Sequence, residues 1–79
     1  MKLIDAVATK LIKIKKEKDI TQYKMSVLTG VPQSTISTII KRQTATIKLS
    51  TIYDICSGLG IELAEFFNDD VFKNENLDD

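Results

Sequence analysis

Side chains that could carry catalysis are scarce in this sequence. There is no histidine, and the single cysteine is Cys56. Without histidine, no Ser-His or Cys-His pair can activate a nucleophile and no histidine metal site can form. One cysteine excludes an intramolecular disulfide. Cys56 also falls on the apolar side of its segment, where a thiol packs as a small hydrophobe. Gly30, Gly58 and Gly60 fit neither the GxGxxG nor the P-loop spacing that cradles phosphates. The acids collect in the C-terminal part without a site-like pattern. An enzyme is not expected, nor a cofactor or a metal. The chemistry left is that of hydrogen bonds and charge, carried by the amides, hydroxyls and cations between Gln22 and Gln43.

Formal net charge is zero, which at first argues against a polyanionic partner. The distribution reverses that impression. Residues 1–48 hold ten of the eleven Lys/Arg against three acids (Asp5, Glu17, Asp19), a charge of +7. Residues 49–79 hold Lys73 against eight acids, a charge of −7. Such asymmetry between halves points to nucleic-acid binding by the basic one, with a merely solvated surface as the plain alternative. The 79 residues suffice for one domain. No apolar run approaches the ~20 residues of a membrane span, and Met1 to Asp5 does not open a signal peptide. The expected location is the cytoplasm, with no membrane partner.

The elements that must position these groups are helical. Leu3, Ile4, Val7, Ala8, Leu11 and Ile12 recur at helical spacing, which predicts a first helix from about Leu3 to Glu17. Thr21 can cap a second helix, from about Gln22 to Leu28 or Thr29, and Gly30 can end it in the left-handed conformation. A third starts near Pro32 or Gln33, with Ile36, Ile39 and Ile40 on its apolar face. Arg42 to Lys48 lacks a helical period and reads as a loop. Leu49 to Leu59 is a fourth helix, with Gly58 and Gly60 bracketing its end, and about Glu62 to Asn68 a short fifth that offers Leu63, Phe66 and Phe67 to the core. The reading is an all-α, compact five-helix domain over residues 1–68, followed by an acidic tail, 69–79, expected to fray unless Val71, Phe72 and Leu77 anchor it.

The segment Gln22–Lys41 meets the demands of two helices crossing at a steep angle. Ser26 is the small residue for a close crossing, Gly30 the turn residue, and Met25, Val31, Ile36 and Ile39 the inner apolar faces. That is a helix-turn-helix, whose second helix enters the DNA major groove. Landmarks from Leu11 to Phe67 then accumulate in a specific order: Ile20-Thr21-Gln22, Gly30-Val31, Ser34-Thr35-Ile36-Ser37, Leu49-Ser50-Thr51-Ile52, Leu59-Gly60-Ile61-Glu62-Leu63 and Glu65-Phe66-Phe67. On these residues the chain resembles the Cro- and lambda-repressor-like helix-turn-helix family, also called the xenobiotic-response-element family. It departs from that pattern in three places. Lys15 and Ile40 stand where many members pair an arginine with a glutamate. Pro32 stands where a Ser/Thr cap is usual. Lys41-Arg42 occupies the region of a common glycine.

The resemblance implies roles. Gln33, Ser34 and Thr38 match recognition-helix positions that reach base edges. Gln22 matches a phosphate-contacting glutamine, and Thr35, Ser37, Lys41, Arg42 and Gln43 are further expected phosphate contacts. The implied protein is a transcriptional regulator, a repressor, binding a double-stranded DNA operator as a homodimer. Phe66, Phe67, Val71 and Phe72 are its expected dimer surface. The alternative is an antitoxin-type module that binds a toxin or other protein partner as well as its own operator.

Overall fold

The computed structural model describes residues 1–79. Five α-helices follow one another: α1 (Leu3–Glu17), α2 (Gln22–Thr29), α3 (Gln33–Ile40), α4 (Leu49–Leu59) and α5 (Leu63–Phe67). Two 3₁₀ turns, Asp70–Phe72 and Asn74–Asn76, complete the chain. None of the helices is long and apolar enough to cross a membrane.

Local chemistry sets the helix boundaries. At the start of α1 the Lys2 N–H donates to Asp5 Oδ2 at 2.9 Å, which satisfies one of the donors a helix N-terminus leaves free. Thr21 Oγ1 accepts from the Lys24 N–H at 3.0 Å and caps α2. Gly30 closes α2 at φ +75° and Gly60 closes α4 at φ +69°, a region where a Cβ is costly. Asp19 and Arg42 also adopt positive φ, +53° and +58°. Aspartate tolerates that conformation, whereas arginine there is strained by about 1–2 kcal/mol.

The helices converge on twelve buried side chains, among them Leu11, Met25, Ile36, Ile39, Ile55 and Phe66, with no charged or polar residue buried. α2 packs against α3 and α4, α1 against α3, and α4 against α5. At the crossing of α2 over α4 the backbones approach closely. A Cβ on Gly58 would lie 2.4 Å from Thr29 Cα and 2.5 Å from the Leu28 carbonyl oxygen. Gly58 therefore serves the helix crossing and not the end of α4, where Gly60 alone forms the cap. Ser26, the small residue expected at a close crossing, also ties the turn: its Oγ donates to the Val31 carbonyl at 2.7 Å.

The tail is not frayed. Asp69 Oδ2 accepts from both Lys10 Nζ and Lys13 Nζ at 3.1 Å, joining the tail to α1. Further on, the Asp78 N–H donates to the Met1 carbonyl at 2.9 Å, and the Leu3 N–H donates to Asp79 Oδ1. Phe72 packs on the core and closes an aromatic trio with Phe66 and Phe67, at centroid distances of 5.8 and 5.0 Å. Asp69 thus found partners 59 and 56 residues away, which no local pattern announces. The backbone N–H of Val71, then Lys10 and Lys13, hold the Asp69 carboxyl at about 2, and the same hydrogen bond raises Lys13.

Candidate nucleic-acid interface

The expected contact residues belong to α2, α3 and the loop that follows. Gln33 and Ser34 are exposed in the first turn of α3. Thr35, Ser37 and Thr38 are half-buried on its flanks, while Ile36 and Ile39 anchor its inner side at no more than 2% exposure. This division follows from helical spacing, because positions three and four apart share a face. Gln22 opens α2 directly after its Thr21 cap and is half-buried. Lys41 and Gln43 are exposed just past α3.

Two of these residues have less freedom than their types imply. The Thr38 hydroxyl donates to the Ser34 carbonyl at 2.8 Å, so its remaining capacity is as an acceptor and through its methyl group. Arg42 turns toward α1. Its Nε lies 3.2 Å from Asp5 Oδ1, and its two terminal nitrogens donate to the Ile40 carbonyl at 3.1 Å and to Thr9 Oγ1 at 3.4 Å.

The structure adds neighbours that the loop-like sequence of residues 42–48 concealed. Thr44, Thr46, Ile47 and Lys48, with Thr51 of α4, face Ser34, Thr35 and Thr38 across a cleft of about 370 Å³. Its lining includes six hydroxyls and the Lys48 ammonium; the Thr38 and Thr44 hydroxyls donate to backbone carbonyls, so the ammonium and the remaining hydroxyls are the donors left for phosphate oxygens. One sequence signal could have found Lys48. Between Asp19 and Asp54 there is no acidic residue, while Lys24, Lys41, Arg42 and Lys48 all fall in that interval. Of these four cations, only Arg42 has an acid partner. This interval is accordingly net positive although the whole chain has a net charge of zero.

The aromatic residues expected at a dimer surface are placed differently. Phe66 is fully buried and belongs to the core. Val71 and Phe72 are half-buried beside it, and only Phe67, at 38%, is exposed. Their order in the chain gave no way to tell a core aromatic from a surface one. Phe67 shares an apolar groove of about 280 Å³ with Leu3, Ile4, Ile47 and Leu49. Cys56 is buried, and loss of hydration pushes its thiol above the ordinary cysteine value, which keeps it neutral and inert.

Comparison with protein families places a match over residues 10–70 with the Cro/C1-type HTH DNA-binding domain. No curated protein and no solved structure matches the chain.

Proposed function

The chain belongs to the Cro/C1-type helix-turn-helix DNA-binding family, and we propose that it is a sequence-specific transcriptional repressor whose α3 reads the DNA major groove. The observation that carries this reading is the outward polar face of α3, set in a stretch of 34 residues, Ile20–Tyr53, that has cations but no acid. An eight-residue helix is about 12 Å long and fits the major groove. In this reading Gln33 pairs with a base edge, adenine being its bidentate partner, and Ser34 adds a hydroxyl contact. Thr38 offers its methyl to thymine or its oxygen to a donor. Gln22, Thr35, Ser37, Lys41 and Gln43 contact phosphates, joined by Lys48 from the hydroxyl-rich cleft.

The protein acts as a homodimer on a two-fold operator, with recognition helices ~34 Å apart. Protomer extents of 34 × 24 × 22 Å are compatible with that spacing. The apolar groove at Leu3, Leu49 and Phe67 supports self-association better than the buried Phe66 does. Occupancy of a promoter is enough for repression.

Selection from a pool of random duplexes, followed by affinity measurements across salt, tests the reading. Enrichment of a two-fold sequence is expected, with log K falling steeply as salt rises. Enrichment of no sequence, or an affinity flat in salt, would overturn it. A reporter promoter carrying the selected duplex should lose expression when the protein is supplied.

A further inference from the structure

We propose that Arg42, Asp5 and Thr9 form a latch between α1 and the end of α3, and that Arg42 positions the DNA-reading face instead of contacting phosphate. The inference rests on the DNA-binding reading above.

Arg42 occupies a left-handed turn, φ +58°. Glycine would hold that turn without strain, but a glycine has nothing with which to reach α1. All three guanidinium nitrogens of Arg42 have partners. Nε pairs with Asp5 Oδ1 at 3.2 Å, one terminal nitrogen donates to Thr9 Oγ1 at 3.4 Å, and the other donates to the Ile40 carbonyl at 3.1 Å. The acceptors are themselves fixed. The other oxygen of Asp5 accepts from the Lys2 N–H at 2.9 Å, and the Thr9 hydroxyl donates to the Asp5 carbonyl at 2.8 Å. No other cation pairs with Asp5.

The latch acts at the point where α3 becomes the loop. The Gln43 N–H donates to the Thr38 carbonyl at 2.9 Å across the Arg42 turn. Thr44 and Thr46 of the cleft follow immediately. Holding Arg42 against α1 therefore fixes both the last turn of α3 and the start of the cleft. The planar, delocalised guanidinium suits such a fixed fork, which lysine does not reproduce.

The test compares wild type, Asp5→Asn, Arg42→Gly and the double variant on one duplex, selected from random sequence by the wild-type protein. Asn keeps an acceptor for Lys2 N–H, and glycine keeps the left-handed turn, so both variants retain the local backbone. The pair is partly exposed, and a modest effect is expected: each single variant binds about three- to fivefold more weakly, with no change in salt slope. The double variant is no weaker than either single one, as two members of one contact require. Amide exchange at Gln43 is faster in both single variants, read without DNA. A phosphate contact predicts the opposite pattern: Arg42→Gly alone weakens binding, with a slope shallower by about 0.9, and Asp5→Asn binds as tightly or more so. That pattern, or unchanged affinity in both single variants, or wild-type exchange at Gln43, overturns the latch. If the wild-type protein selects no duplex, the DNA-binding reading fails, and the exchange rates still decide whether the latch exists.

Discussion

Along α1 and the tail, charges face one another. Asp69 bridges Lys10 and Lys13, Asp5 holds Arg42, Asp70 meets Lys73, and Asp78 lies 3.6 Å from the terminal ammonium. Along the helix-turn-helix and the loop after it, Lys24, Lys41 and Lys48 form no ion pair, and no acid lies near them in the chain between Asp19 and Asp54. The two regions are similarly polar and differ in what answers their charge. Lys10, Lys13 and Arg42 meet acids distant in the chain and so tie the fold together. Where acids are missing, cations stay hydrated and exert a field on an approaching polyanion. A neutral chain thus carries an acid-free basic stretch, the working edge of the proposed function, while its acidic tail answers Lys10 and Lys13 of α1.

The sharpest way to break this contrast is to disturb the platform on which the working edge rests. Gly58→Ala forces a Cβ against the backbone of Thr29 and Leu28. It should cost about 2–3 kcal/mol by overpacking, a melting temperature lower by roughly 10–20 °C. A melting curve unchanged from wild type would mean that α2 does not lie this close to α4. Next in size is Gln33→Ala. It should leave thermal stability within about 0.5 kcal/mol, as an exposed surface change, and lose about 1–3 kcal/mol of discrimination at one base position. Competition between the selected duplex and its single-base variants measures this.

Asp69→Asn probes the opposite region. It removes a charged acceptor from two lysines and should cost about 1 kcal/mol, while the ranking of duplexes stays that of the wild type. A changed ranking would mean that the tail and the working edge are not separate. The same carboxylate predicts a pH dependence. Its folded-state value of about 2 lies below its ordinary 3.8, so the folded chain binds this proton less readily than the unfolded chain. Its stabilising contribution is complete above about pH 4 and is lost as pH falls toward 2. Acid titration of the wild type and of Asp69→Asn should show the difference between them vanishing at the acid end. The smallest effect is expected for Lys41→Ala: all duplexes weaken alike, by under about 1 kcal/mol at moderate salt, with the salt slope shallower by about 0.9.

Much of this architecture was legible because its causes are local. Apolar spacing marked α1 and α4 to their observed ends, and Thr21, Gly30 and Gly60 marked boundaries through contacts within five residues. The exposed positions of Gln33, Ser34 and Lys41 followed from the phase of Ile36 and Ile39 on the same helix. Arg42 was visible as a cation after α3, but its partner lies 37 positions upstream, so its side chain could be read only as free. Phe66 and Phe67 are adjacent and chemically identical, and the helix alone does not say which of them meets the core.

By itself, then, the sequence determined the helices, their caps, the helix-turn-helix and the separation of charge, since each arises from neighbours a few residues apart or from composition. Tertiary structure decided that Asp69 locks the tail to Lys10 and Lys13, that Gly58 admits a close crossing of α2 over α4, that Phe66 and not Phe67 is core, and that Arg42 turns inward to Asp5. Those outcomes depend on where elements distant in the chain meet. A side chain's partner across such a junction is fixed by helix crossings and loop closure, which no short-range pattern encodes.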